Sequence, residues 1–209
     1  EARERILSYF DELPAEETSL VDALGQILAE DLVAPFDIPP LANSAMDGYA
    51  VRAVDTLGAS KESPVELPVT GVVAAGQLPD HPLAPGTAIR IMTGAPVPDD
   101  ADAVVPFEDT DEIERREAGQ SSNAINIHLQ AENYDNIRGA GEDIGVGTTV
   151  LTSGQILRAG EIGVIASLGR ASVMAIRRPV VAIVSTGDEL LQPGEDHQDY
   201  DVPGEGEPE

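Results

Sequence analysis

Short strand-like runs, closely spaced and separated by turns, fill the middle of this chain and constrain its fold class most. Between Tyr49 and Asn136 the runs are rich in β-branched and small apolar residues, and Gly-Gln, Pro-Gly and Pro-Asp-Asp sequences separate them. Runs of this length with such turn residues are typical of β-strands in a compact module. The pattern therefore predicts an all-β module over residues 49–136, with strands at Val69–Ala74, Ala88–Met92, Ala103–Val105 and Ala124–Leu129.

Helical periodicity flanks this module on both sides. In Glu1–Leu13 the apolar residues recur at helical spacing. Ser19 and Asp22 resemble a capping box, and they are followed by an apolar stripe that predicts a second helix through about Glu30. After the module, Ile156–Leu168 again has helical spacing. The chain is therefore predicted to be an α+β protein with helices on either side of a β module.

A continuous apolar run near the end of the sequence predicts a strand of another kind. Pro179–Thr186 lacks polar alternation, as expected for a strand that is buried on both faces of a parallel sheet. It leads into Gly187, Asp188 and Glu189, and polar residues at the carboxyl end of such a strand commonly bind ligands. Gln192–Glu209 is rich in Pro, Gly, Asp and Glu, so we expect it not to fold on its own. The domain that begins at Pro179 is therefore expected to be truncated.

Composition and charge exclude several classes of protein. The chain has 209 residues and 42% hydrophobic residues, which is a globular composition. The absence of Cys excludes disulfides, a thiolate nucleophile and a cysteine zinc site. A formal net charge of −26 argues against nucleic acid, because phosphate binding needs clustered Lys and Arg. We find neither a signal-peptide pattern nor an apolar run of membrane-spanning length, and we expect a cytoplasmic protein without membrane partners.

Four polar motifs accompany the predicted elements. Pro39–Arg52 contains an Asp-Gly turn that opens a strand, and Arg90–Pro98 is a strand ending in Thr-Gly-Ala-Pro, which can present a hydroxyl and free backbone N–H groups to an oxyanion. In Arg138–Ile144, two glycines permit close backbone approach and adjacent carboxylates suit a hard cation. Ser185–Leu190 is the polar loop after the apolar strand. Taken singly, the Asp-Gly and Gly-Glu-Asp motifs are better explained by an ordinary turn and a solvated acidic loop than by a functional site.

Taken together and in this order, the four motifs resemble the MoeA family, which includes the gephyrin E domain. The matching stretches are Asn-Ser-Ala-Met-Asp-Gly-Tyr-Ala, Ile-Met-Thr-Gly-Ala-Pro, Arg-Gly-Ala-Gly-Glu-Asp-Ile and Ser-Thr-Gly-Asp-Glu-Leu. The resemblance implies an α+β multidomain protein, in which an α/β domain is made of two separated segments, 1–48 and 137–177. The all-β module of residues 49–136 is inserted between them. Residues 178–209 then hold the first strand of a truncated MogA-like, molybdopterin-binding α/β domain and an acidic tail.

The resemblance also implies a transferase of molybdenum cofactor biosynthesis. Such an enzyme inserts molybdate into adenylated molybdopterin with release of AMP, uses Mg²⁺, forms a homodimer, and has a MogA-type adenylyltransferase as its pathway partner. The resemblance implies catalytic roles for Asp47, Asp143 and Glu189, and it implies that Asp47 and Asp143 bind the metal. It also implies substrate-binding roles for Thr93, Ser44, Gly94 and Asp188.

Two questions stay open at the level of sequence. Arg52, Arg90 and Arg138 flank three of the motifs, and they suit either phosphate contacts or surface salt bridges. The chain is either part of the enzyme or a non-catalytic dimerisation and scaffold module that reuses the MoeA N-terminal domains. Because both implied substrates are anions and the chain has a net charge of −26, we expect this chain alone not to insert molybdenum.

Overall fold

The computed structural model describes residues 1–121, 123–186 and 194, and the chain divides into two compact units. One unit is Ala15–Ile176, and the other combines Glu1–Pro14 with the segment that begins at Arg177. The elements follow in the order α1 (Ala2–Leu7), β1 (Ala15–Ser19), β2 (Leu32–Val33), β3 (Asn43–Ser44), β4 (Gly48–Val51), β5 (Val65–Val73), β6 (Ala88–Ile91), β7 (Ala103–Pro106), α2 (Glu112–Glu117), β8 (Ala124–Ile127), β9 (Ile137–Arg138), β10 (Thr149–Leu151), α3 (Ala159–Ser167) and β11 (Ser172–Ile176).

A five-stranded mixed sheet forms the centre of the larger unit. Its strand order is β7-β4-β6-β5-β8. Strand β4 pairs antiparallel with β7 and β6, whereas β5 runs parallel to β6 and antiparallel to β8. The four strands predicted in this region are confirmed, and β5 begins earlier than predicted, at Val65. The mixed sheet with few helices confirms the α+β class.

Strands β4 and β7 of this sheet are buried on both faces. Tyr49 and Val51 of β4 belong to one core cluster, while Ala50 between them belongs to the other. The neighbouring strand β7 alternates in the same way, with Val105 on the first face and Val104 on the second. Alternate residues of a strand point to opposite faces, so both faces of these strands are packed. Burial on both sides fixes the position of β4 and of the loop that precedes it.

Two separated stretches of chain pair with one another outside this sheet. β1 pairs with β11, β2 with β10 and β3 with β9, all antiparallel. The pairs are nested, so the chain enters the five-stranded sheet after β3 and leaves it before β9. A separate core cluster, including Leu28, Leu32, Leu157 and Ile165, packs around these stretches. The domain boundaries predicted from the sequence stay predictions.

The second predicted helix is wrong. The Asp22 N–H donates to the hydroxyl of Ser19 at 3.4 Å, and that hydroxyl donates to the Asp22 carboxylate at 2.7 Å, so one of the two contacts of a capping box forms. Gly25 then takes a φ of +82°, a value that an L residue in a right-handed helix does not adopt. Its N–H donates to the carbonyl of Leu157 at 2.7 Å. The backbone therefore bonds to a distant segment instead of continuing a helix.

The other helices also differ from their predicted extents. α1 ends at Leu7 instead of Leu13, and α3 covers the middle of the predicted 156–168 helix. The module predicted to be all-β contains α2, which has no buried residue and therefore lacks the apolar stripe that marks a helix in sequence. None of the helices in the described part of the chain is long and apolar enough to span a membrane.

The predicted strand at Pro179–Thr186 is also wrong, and with it the predicted first strand of a MogA-like domain. The segment pairs with no strand among the described residues, and Val180 and Ile183 are each 89% exposed. A strand that is buried on both faces needs neighbouring strands to bond its backbone groups. The described residues supply none here. Asp188 and Glu189 lie outside the described residues.

Candidate functional site

The register of the five-stranded sheet brings two of the motifs together. Asp47 directly precedes β4, and Thr93 lies two residues beyond the last residue of β6. In the antiparallel pairing of these strands, Gly48 is opposite Ile91. The loop before β4 and the turn after β6 therefore meet at one end of the sheet. We call Ser44, Asp47, Thr93 and Gly94, together with the backbone around them, the Asp47 corner.

The carboxylate of Asp47 is held by both donors of Thr93. Its Oδ1 atom accepts hydrogen bonds from the Thr93 N–H at 2.7 Å and from the Thr93 hydroxyl at 2.8 Å. These bonds, with a smaller contribution from the charge of Arg90, hold the pKa of Asp47 below its usual value. Both side chains are exposed at the surface. Asp47 is therefore an ionised carboxylate with a fixed orientation.

Backbone hydrogen bonds connect the two loops of the corner. The Gly94 N–H donates to the carbonyl of Ser44 at 2.8 Å, and the Ser44 N–H donates to the carbonyl of Ala95 at 3.0 Å. The hydroxyl of Ser44 is buried and bonds to the backbone of Met46. The structure thus places Ser44, Asp47, Thr93 and Gly94 side by side, although Ser44 acts within the loop and does not face outward.

The predicted set of free N–H groups in the Thr-Gly-Ala-Pro turn is wrong. The N–H groups of Thr93, Gly94 and Ala95 donate to the Asp47 carboxylate, the Ser44 carbonyl and the Met92 carbonyl. The adjacent loop supplies the first two acceptors and the turn itself supplies the third, so these N–H groups are not free to bind an oxyanion. Among the described residues, Asp47 Oδ2 accepts no hydrogen bond. The corner therefore offers an anchored carboxylate with one open oxygen.

Glycine is required where the corner joins the sheet. A Cβ atom on Gly48 would lie 2.0 Å from the carbonyl oxygen and 2.9 Å from the carbonyl carbon of Val105. These are backbone atoms of the neighbouring strand β7, and they cannot move without breaking the pairing of the two strands. Gly48 therefore permits the close approach that positions Asp47.

Arg90 has a structural role in the sheet. Its Nη1 donates to the carbonyls of Gly48 at 3.0 Å and Ile91 at 2.8 Å, and its Nε lies 2.9 Å from Glu112 Oε2. The guanidinium carbon lies 5.3 Å from the centre of the Tyr49 ring, a cation–π distance. These partners occupy the guanidinium. Of the two alternatives left open by the sequence, phosphate contact and salt bridge, the structure therefore favours a salt bridge for Arg90. Its partner Glu112 belongs to none of the four motifs.

Arg52 and Arg138 are ion-paired as well. Arg52 Nε lies 3.7 Å from Asp55 Oδ2. Arg138 donates to Asp143 at 2.7 Å and lies 3.5 Å from Glu142. The three arginines that flank the motifs thus neutralise neighbouring carboxylates. For all three, the structure favours the salt-bridge reading over phosphate contacts.

The described residues do not fit a magnesium site by themselves. Mg²⁺ prefers octahedral coordination by several oxygen atoms, often from more than one carboxylate. Asp47 contributes a single open oxygen, and the carboxylate of Asp143 is paired with Arg138. Within residues 1–121, 123–186 and 194, no group of three or more His, Cys, Asp or Glu side chains is placed to hold a metal ion. The metal-binding roles of Asp47 and Asp143 stay predictions.

The fold and the Asp47 corner define the class of protein: a mixed-sheet α+β domain in which two hydrogen-bonded loops hold a carboxylate in a fixed orientation. A family model of the MoeA N-terminal region, domains I and II, matches residues 1–169. The chain therefore belongs to the MoeA N-terminal family.

Curated relatives and solved structures agree with this assignment. The chain is 47% identical over 175 residues to molybdopterin molybdenumtransferase 2 of Mycobacterium tuberculosis strain H37Rv, covering 84% of this chain and 41% of the relative. It is 40% identical over 191 residues to molybdopterin molybdenumtransferase of Staphylococcus aureus strain N315, covering 91% and 44%. The moeA protein from Pyrococcus horikoshii OT3 matches with a TM-score of 0.78 at 35% identity, covering 92% of this chain and 49% of that chain. The chain thus spans less than half the length of these relatives.

Proposed function

We propose that this chain is part of a transferase of molybdenum cofactor biosynthesis that inserts molybdate into adenylated molybdopterin with release of AMP. The observation that supports this most is the Asp47 corner, in which four residues from two motifs form one hydrogen-bonded unit with an open carboxylate oxygen. The family to which the chain belongs includes relatives named molybdopterin molybdenumtransferase.

The geometry favours a positioning role for Asp47 in this reaction. Because Thr93 donates two hydrogen bonds to the carboxylate and lowers its pKa, Asp47 is a weak base that stays ionised at neutral pH. A fixed, ionised carboxylate accepts a hydrogen bond from an N–H or O–H group of a substrate and thereby orients that substrate. We assign this task to Oδ2 of Asp47. Thr93 then acts on the substrate through the orientation that it gives to Asp47.

The remaining residues of the site are assigned by resemblance. We propose catalytic roles for Asp143 and Glu189 and a substrate-binding role for Asp188. Mg²⁺ belongs to this proposal, but the described residues do not hold it alone, and we assign no step to it. The proposal also includes a homodimer, a MogA-type adenylyltransferase that supplies the adenylated substrate, and a cytoplasmic location.

Charge supports a further part of the proposal, namely that this chain alone does not release AMP. Molybdate and adenylated molybdopterin are both anions, whereas the chain carries a formal charge of −26. The arginines near the motifs are already paired with carboxylates. Like charges repel, so substrate binding requires cationic groups other than the arginines near the motifs.

An exchange of domains tests the proposed function. Residues 1–169 would replace the matching region of the Staphylococcus aureus relative, and molybdate-dependent AMP release would be measured for the purified chimera and for the 209-residue chain. We expect release by the chimera and none by the chain alone. A folded chimera without activity would contradict the proposed function. Release by the chain alone at the rate of the chimera would contradict the need for further groups.

A further inference from the structure

A cavity separate from the Asp47 corner lies beside α2. Its volume is about 610 Å³, and none of the corner residues lines it. One wall is largely apolar and comes from strands β4, β5 and β8 and the residue after β6. The opposite side carries charged groups of α2. Apolar walls that converge with a few polar groups are the usual anatomy of a small-molecule site. The lining includes Val69, Val72, Met92, Ile125, Arg115 and Arg116.

Ion pairs hold most of the charged lining in place before any ligand binds. Arg115 Nε lies 2.6 Å from Asp111 Oδ2, and Arg115 Nη2 lies 3.3 Å from Glu66. Asp111 in turn accepts hydrogen bonds from the backbone and side chain of Asn126 on β8 at 2.9 and 2.7 Å. On the sheet side, Arg90 is fixed by its partners. A preformed wall reduces the entropy that ligand binding has to overcome.

Arg116 differs from the other two arginines of the cavity. It is exposed, it lines the cavity, and it forms no ion pair with any residue that the structure describes. The chain has 12 Lys and Arg against 38 Asp and Glu, so few side chains can bind an anion by charge. Carboxylates already neutralise Arg90 and Arg115. The cavity thus has one available positive charge next to an apolar wall.

We propose that this cavity binds a small ring-bearing monocarboxylate. Its carboxylate pairs with Arg116, whose planar guanidinium matches the two oxygens of a carboxylate. Its ring lies against Val69, Val72 and Met92, where burial of apolar surface favours binding. A single negative charge fits better than two, because Glu66 and Asp111 are close to Arg115 and repel a dianion. This site is independent of molybdate insertion.

Calorimetric titration of the 209-residue chain with 2-naphthoate tests the proposal. Acetate carries the charge without the ring, and 2-naphthalenemethanol carries the ring without the charge. We expect saturable binding of one naphthoate and weak or no binding of the two controls. Arg116→Glu should weaken naphthoate binding about tenfold or more, because it replaces attraction by repulsion at an exposed position that supports no other contact. Arg170→Glu makes the same charge change at the surface, where Arg170 is 3.5 Å from Glu30, and should leave binding unchanged.

A second variant tests the proposed contact between the ring of the ligand and the apolar wall. Val72 is 61% exposed, so Val72→Asp should keep the fold while placing a negative charge in the apolar wall. We expect it to weaken naphthoate binding as strongly as Arg116→Glu does. The proposal would be overturned by no saturable naphthoate binding in the millimolar range, by equal binding of the neutral alcohol, or by unchanged affinity in Arg116→Glu. A melting curve for each variant shows that the fold is retained.

Discussion

The carboxylate of Asp47 takes both of its hydrogen bonds from one residue, Thr93, whose N–H lies 2.7 Å and whose hydroxyl oxygen lies 2.8 Å from the same Oδ1 atom. The other oxygen remains open. A single residue in the turn after β6 thus fixes the orientation of the carboxylate and keeps it ionised. This arrangement connects the register of β4 and β6 to the chemistry proposed for the corner.

The hydroxyl of Thr93 should contribute measurably to the low pKa of Asp47. Thr93→Val removes the hydroxyl but keeps the backbone N–H, so the pKa of Asp47 should rise part of the way toward its ordinary value. Thr93→Ser keeps the hydroxyl and should leave the pKa low. Carboxyl NMR titration of the three proteins measures this directly. An identical Asp47 pKa in the valine variant would show that the hydroxyl bond is absent in solution.

The same bonds predict how stability depends on pH. The pKa of Asp47 is lowered in the folded chain, so its contribution to stability is present above the unfolded value of about 3.9 and is lost as the pH falls through the folded pKa. The free energy of unfolding of the native chain should therefore decrease more steeply in acid than that of Asp47→Asn. Urea denaturation at several pH values measures the difference. A difference that is independent of pH would be evidence against the lowered pKa.

Gly48 and Gly163 form a matched pair for testing close approach at the corner. Gly48→Ala places a Cβ atom 2.0 Å from the Val105 carbonyl oxygen and should destabilise the chain by about 3 kcal/mol. Gly163 lies in α3 with nothing within 4 Å of the added atom, so Gly163→Ala should stabilise it by about 0.5–1 kcal/mol. Chemical denaturation of both variants measures these values. Tolerance of alanine at Gly48 would mean that β4 and β7 are less closely paired.

Arg90 and Glu112 should behave as a coupled pair. Arg90→Met leaves a largely buried carboxylate without its main partner and should cost about 2–4 kcal/mol of stability. Arg90→Met combined with Glu112→Met should cost less than the sum of the two single changes. Arg170→Ala at the exposed pair with Glu30 should cost no more than about 1 kcal/mol. Strictly additive single and double variants would contradict the pairing.

The strands of this chain were more predictable than its helices. Runs such as Ala88–Met92 combine β-branched residues with flanking turns, and these local features allow a strand to be predicted without knowledge of its tertiary contacts. The helix predicted from Ser19 failed because Gly25 and the carbonyl of Leu157 redirect the backbone, a long-range effect. α2 was missed because side-chain ion pairs, and not a buried stripe, hold it in place.

The motifs that form the Asp47 corner could be recognised in the sequence, but the contacts between them could not. The motifs of Asp47 and Thr93 are recognisable in the sequence, yet only the pairing of Gly48 with Ile91 shows that they meet. The engagement of the Thr93 N–H by Asp47 depends on loop geometry that no spacing encodes. Likewise, Arg90 acquires its structural role through Glu112, which is distant in sequence and belongs to no motif.

Magnesium should have little effect on the isolated 209-residue chain. Among the described residues, the acidic side chains that were predicted to bind a metal are engaged with Thr93 and Arg138 and form no cluster with a third ligand. We therefore expect the melting temperature to be the same with EDTA and with millimolar Mg²⁺. A metal that binds the folded state would raise it. A clear, saturable rise with Mg²⁺ would show a site that the described residues do not account for.

Turnover of the chimera with Asp47→Asn tests the proposed role of the corner most directly. Asparagine keeps the shape of the side chain and can still accept from Thr93, but it lacks the charge. Molybdate-dependent AMP release and the free energy of unfolding would be measured for the chimera with and without the change. We predict a loss of turnover of about tenfold or more with a stability change of no more than about 1 kcal/mol. Unchanged turnover in the asparagine variant would contradict a functional role for Asp47 and favour a scaffold function for this region.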